Sequence, residues 1–156
     1  MITGGQAQAY DEIFTLIRDG LAALPVTVIY QDDLKNVDVT TPVVIVNLQH
    51  VSGQQASMAG DEGRRKWRND GIVYMSVRIP ASRGLTEMNV SVNTCITAIR
   101  GKTTPGGVWF RNVVGKEEAP KDGNARSIVT GEFVYHELTP VPVVEPAGTV
   151  WQTEEW

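Results

Sequence analysis

The sequence predicts an α+β domain, with a mainly antiparallel sheet of about five strands, two helices packed on one face, a long β-hairpin loop and an extended C-terminal arm. Three observations carry this expectation. Two segments repeat apolar residues at three- and four-residue steps, while several others are β-branched and alternate apolar with polar residues. The segments run helix, strands, helix, strands. At residue 139 the alternation gives way to TPVPVVEPAGTVWQTEEW, a stretch with no core pattern of its own. The expected organisation is one domain over residues 1–138 and an arm over 139–156.

Taking the elements in order, Ile13, Phe14, Ile17, Leu21 and Leu24 form one stripe of an amphipathic helix, with Asp11 and Glu12 expected in its first turn, where the helix dipole favours negative charge. Pro25 ends it. Val26 to Tyr30 reads as a strand, Gln31 to Thr41 as a polar turn region, and Pro42 to Val51 as a second strand that opens at a proline costing no ladder hydrogen bond. Residues 52–70 lack a sustained period and contain three glycines, so a long mobile hairpin loop is expected there. In the strand Ile72 to Ile79, Val73, Met75, Val77 and Ile79 share one face while Tyr74, Ser76 and Arg78 share the other. The second helix carries Leu85, Met88, Val92, Ile96 and Ile99 as its stripe, with Gly101 placed for a C-terminal cap. Val108 to Val114 and Arg126 to Leu138 complete the strands, separated by a charged turn over 115–124. In the arm, Pro140, Pro142 and Pro146 exclude a helix and favour extended chain.

Composition narrows the function classes. The 156 residues are 42% hydrophobic and 21% charged, as in ordinary folded proteins. No apolar run approaches the roughly 20 residues that cross a bilayer, and MITGGQAQAY lacks the layout of a signal peptide, so no membrane partner and a cytoplasmic site of synthesis are expected. Cys95 has no second cysteine to pair with, and together with His50 and His136 it makes too sparse a set for a structural zinc site. No metal or other cofactor is expected. A net charge of −4 argues against a dedicated DNA-binding domain, which would rest on clustered Lys and Arg.

The same chain shows no Gly-rich phosphate loop, nucleophile elbow or metal-ligand spacing, so no catalytic residue is assigned and no enzymatic activity is expected. His50 and His136 read as structural or surface histidines and Cys95 as a small buried hydrophobe. Two groups are candidates for contacts. Arg64, Arg65, Lys66, Trp67 and Arg68 form a basic cluster with an aromatic anchor, which reads equally as a solvated loop tip. Trp151 and Trp156 are large rings in an extended tail, where they gain nothing unless they dock on another surface.

Over residues 8–138 this order of elements resembles the tail terminators of long-tailed phages, the gpU-like minor tail or tail-completion proteins. The features that carry the resemblance are the leading helix with the Val26–Tyr30 strand, the strand at Pro42, and the Gly63-Arg64 loop running to Gly71. To these are added the strand closing on Ile79-Pro80 before Gly84, the second helix, and the last strand with Phe133 and Tyr135. The resemblance implies a subunit of a homo-hexameric ring at the head-proximal end of the tail, where it caps the tube. Its implied partners are further copies of itself, the major tail tube protein and the head–tail connector protein. A neighbouring connector or head-completion protein is the competing structural reading. A small hydrolase or transferase using His50 or His136 and a nucleic-acid binder using residues 64–68 are the readings from other classes.

One expectation follows from the arm alone. Removing residues 139–156 should leave the thermal melt of the monomer nearly unchanged, by calorimetry or circular dichroism, because the arm adds no core residues. A large drop would place the arm on its own domain.

Overall fold

A computed structural model describes residues 1–30, 41–55, 66–121 and 123–138 of the chain. Helix α1 runs Gly5–Leu21, strand β1 Thr27–Tyr30, β2 Val43–Gln55, β3 Lys66–Pro80, helix α2 Leu85–Ile99, β4 Trp109–Lys121 and β5 Asn124–Leu138. The five strands form one sheet in the order β1-β2-β3-β5-β4. Among the named strands of the described residues only β1 and β2 are parallel, pairing Thr27 with Val43 through Tyr30 with Val46. The other neighbours are antiparallel, so the α+β architecture with a mainly antiparallel sheet is as expected.

Several local expectations are corrected. Helix α1 begins at Gly5, which places Asp11 and Glu12 in its middle rather than in its first turn. Gln8 makes the earlier start possible, because its side-chain oxygen accepts hydrogen bonds from the backbone N–H of Thr3 and Gly4 at 3.2 and 2.7 Å. Glu12 instead accepts a 2.6 Å hydrogen bond from the Gly106 N–H and so ties α1 to the segment before β4. Ahead of the helix, Ile2 is fully buried and exchanges backbone hydrogen bonds with His136 and Leu138, a contact absent from the sequence reading.

Of the supposed loop over 52–70, residues 52–55 and 66–70 are sheet, since β2 continues to Gln55 and β3 starts at Lys66, while 56–65 lie outside the described residues. A bulge between His50 and Ser52 allows this extension by absorbing one residue. The supposed charged turn over 115–124 is likewise strand, with β4 reaching Lys121 and β5 starting at Asn124. In both cases ladder hydrogen bonds to a neighbour override low intrinsic strand preference. On α2 the inward stripe is rotated. Leu85 is 70% exposed, while Ser91, Cys95 and Ala98 are buried beside Met88 and Ile99. Gly101 does adopt φ +71 just past the helix, as its position suggested.

Both helices lie on one face. Tyr10 meets Phe133 edge-on and Phe14 meets Tyr30, which sets α1 on the sheet. Val92, Ile96 and Ile99 of α2 pack where Gly115 and Gly131 leave no side chain. The helices touch each other closely at Gly20, where a Cβ would stand 2.6 Å from that of Ala98. The core is therefore Ile13, Ile17 and Leu21 with Met88, Cys95 and Ile99 above a sheet surface of Val44, Val46, Val73, Met75, Val77, Val129 and Phe133.

Gly71 marks the tightest point of that surface. A Cβ there would overlap the Phe133 ring and stand 2.6 Å from the carbonyl oxygen of Gln49, a backbone atom held in the ladder. Gly71→Ala is expected to destabilise the fold by about 3 kcal/mol, the upper end of ordinary overpacking costs, read from the urea midpoint. A change within experimental error would show that Phe133 can swing aside.

Candidate functional site

Strand alternation decides where each candidate residue lies. Of the basic cluster, Arg64 and Arg65 lie outside the described residues, while Lys66, Trp67 and Arg68 open β3 and so are strand rather than loop tip. They do not form one patch. Trp67 shares the helix-side parity of Asn69, Gly71 and Val73, lies opposite Gln55 and Glu137, and is 37% exposed. Lys66 and Arg68 face the opposite side. Arg68 is also committed to Asp70, with a nitrogen-to-oxygen distance of 3.3 Å. Trp151 and Trp156 lie outside the described residues.

The two histidines are separated by the sheet. His50 stands opposite Gly71 on the helix side and His136 opposite Arg68 on the other side. His50 Nε2 lies 3.2 Å from Asn69 Oδ1, and Asn69 in turn donates to Glu137 at 3.4 Å. This chain of contacts links β2, β3 and β5. Among the described residues neither imidazole has a serine or cysteine nucleophile as a hydrogen-bond partner. Cys95 is fully buried, and burial pushes its thiol up to about 12, which makes it inert as a nucleophile at neutral pH. Among the described residues no group of three His, Cys, Asp or Glu is placed to hold a metal.

The surface that the sequence reading left unassigned is the sheet face away from the helices. Its rows follow from the register. Val43, Arg78, Arg126 and Glu118 form one row, and Ile45, Ser76, Ile128 and Lys116 the next. Asn47, Tyr74, Thr130 and Val114 follow, then Gln49, Ile72, Glu132 and Arg111. Arg111 pairs with Glu132 at 3.0 Å, approaches Asp70 at 3.8 Å and lies 5.9 Å from the centroid of the Trp109 ring. Asn112, which adopts φ +53 at a bulge in β4, donates to the same Glu132 at 2.6 Å. A groove of about 270 Å³ runs between Ile72, Tyr74, Asn112, Thr130 and Glu132, and one of about 230 Å³ continues it past Asp70 and Arg111. Alternation in residues 72–79 already put Tyr74, Ser76 and Arg78 on this side. Which residues of β4 and β5 join them depends on register, which the sequence does not display.

No protein-family model matches the chain, and no curated protein matches its sequence. Among solved structures, one that carries no functional name is 12% identical, covers 89% of this chain and 99% of its own, and superposes with a TM-score of 0.62. It shows that the fold is shared. A chain from the virion of a native gene transfer agent particle is 13% identical over 86% of this chain and 99% of its own, with a TM-score of 0.48, too loose an overlap to carry an argument.

The setting of His136 gives a pH dependence. Desolvation, then the charges of Lys66 and Arg68, lower its pKa below 6.5, with Asp70 opposing. As pH falls, the unfolded chain therefore takes up this proton before the folded chain does, and stability declines from about pH 6.5 downward until the folded residue titrates too. His136→Gln should flatten that decline in urea melts between pH 7 and 5. An unaltered slope would show that other groups govern it.

Proposed function

We propose that this chain is a virion structural protein and, more specifically, a tail terminator. In this reading six copies close into a ring on the end of a phage tail tube, stop its growth and present the surface on which the head docks. The observation that carries the proposal is the two-sided build of the sheet. The helices complete the core on one side, while a polar and aromatic face is left for contacts with other proteins. The order of elements that resembles the terminator family supports the assignment to tail assembly, and a head–tail connector is the neighbouring alternative.

A cap has to bind the tube edge with one surface without recreating that edge on another. Contact surfaces suffice for this, so the protein acts without catalysis. It works at the head-proximal end of the tail in the virion and in the host cytoplasm during assembly. Partners are other copies of the chain, the tube protein and the connector. Specific nucleic-acid binding is not part of the role, since the chain carries net charge −4.

Deleting the gene from a phage that encodes it should give tails of uncontrolled length by electron microscopy. Purified protein added to growing tubes should arrest them, and light scattering should detect the six-fold ring alone or on tube ends. Normal-length tails joined to heads in the deletion strain would rule the proposal out. Changing both His50 and His136 to Ala should leave function intact, and loss of function in a well-folded double variant would favour an enzyme.

A further inference from the structure

Charge is divided unevenly over the molecule. On the helix-free face, over the rows from Lys66 to Arg126, six basic side chains (Lys66, Arg68, Arg78, Arg111, Lys116 and Arg126) stand against three acidic ones (Asp70, Glu118 and Glu132). This face is thus basic in a chain whose net charge is −4. Residues 139–156 have the opposite character, with Glu145, Glu154 and Glu155 and no Lys or Arg. They also hold Trp151 and Trp156.

Two details on the face call for an acidic occupant. Arg78 and Arg126 stand directly opposite each other across β3 and β5, a like-charge pair that costs stability until an anion joins it. Arg126 has relief from Glu118 at 3.9 Å and from the Ala119 carbonyl at 3.0 Å. The Nε of Arg78 is buried and has no hydrogen-bond partner among the described residues. A few rows away, the groove beside Ile72 and Tyr74 offers an apolar floor between polar walls, the kind of site that takes an indole ring.

We infer that the acidic arm, residues 139–156, of one copy lies across the basic helix-free sheet face of the next copy, with its glutamates toward Arg78 and Lys116 and a tryptophan in the groove beside Tyr74. Where the arm starts favours a neighbouring copy over its own domain. Strand β5 runs from the Arg126 end of the face to Leu138, opposite Lys66, roughly 40 Å away along the strand. An arm leaving there would have to reverse sharply to reach its own Arg78. A proline ring restricts φ to near −65° and disfavours the helical region at the residue before it, so a sequence with prolines at 140 and 142 is biased towards extended chain. Extended at about 3 Å per residue, the 18 residues span about 55 Å, enough to cross to an adjoining subunit and run along its face. The inference rests on the ring proposed above, and supplies the contact that would link successive subunits.

Disulfide trapping on the full-length protein tests it. Full-length chains carrying Val114→Cys, an exposed position on the face, are mixed with full-length chains carrying Gln152→Cys. Buried Cys95 stays silent in both. Mild oxidation should give a two-chain product at roughly tenfold the yield obtained when Asn93→Cys, exposed on α2, replaces the face cysteine, and 0.5 M salt should reduce it. Glu145→Lys, Glu154→Lys and Glu155→Lys together should abolish the product while leaving the thermal melt in place. Yields equal to the Asn93 control, or unaffected by charge reversal, would overturn the inference. So would a single chain bearing both cysteines that closes on itself at every dilution. Rings seen by light scattering without the cross-link would sink the arm contact alone, whereas normal tails in the gene deletion would sink the terminator reading itself.

Discussion

The fold depends on β3 being hydrogen-bonded along both edges for nearly its whole length. It pairs with β5 without a break from Lys66–Leu138 to Pro80–Asn124, and with β2 through a single bulge. Everything else takes its place from that strand. Strict alternation buries Val73, Met75, Val77 and Ile79 beneath the helices and sends Tyr74, Ser76 and Arg78 to the far side. Continuous pairing is possible at its centre because Gly71 and Gly131 give up their side chains to Phe133 and to Ile99, respectively. A one-residue slip would turn every valine outward, so the register and the two-sided character of the sheet are a single constraint.

The edges of the sheet are managed differently from its faces. Strand β4 is the long edge, and it is interrupted by two irregularities in pairing, one beside Asn112 and one near Pro120. The carbonyl of Val113 is taken by Arg100 at 2.7 Å, which removes an acceptor that an incoming strand would need. Bulges, a proline and charged side chains on an edge are the usual means of discouraging strand addition. At the opposite edge β1 has only four residues. Association by extending the sheet is thus discouraged at β4, and the open face is the surface left for it.

How much of this could be read from the sequence varies with the physics involved. Segments with their own period, such as Ile13 to Leu21 and Ile72 to Ile79, were legible because one apolar face marks them. The start of α1 was not, since its first turns are Gly, Gln and Ala and its order comes from Gln8, Glu12 and the distant Gly106. Residues 66–70 and 115–121 have the polar composition of a loop, yet their order comes from the partner strand rather than from composition. The same limit hid the open face. Asp70, Arg111 and Glu132 are far apart in sequence, and only the register and the bulge at Asn112 bring them together. The basic cluster, by contrast, was prominent in the sequence but is divided in the fold, since adjacent residues on a strand point to opposite sides.

That division bears on what kind of assembly the chain can form. A two-fold contact between open faces would set a surface with six basic and three acidic side chains against itself, burying net like charge. Net like charge on this face opposes pairing with itself, and in the proposed assembly it would meet a dissimilar, acidic surface. A contact between dissimilar surfaces repeats from copy to copy, and either closes into a ring or continues as an open filament, depending on the rotation between neighbours. Closure leaves no unmatched face and no unmatched acidic surface at the ends, so the charge complement is fully used only in the ring. The contrast between the basic open face and the acidic residues 139–156 is the charge complement that the proposed head-to-tail ring would use.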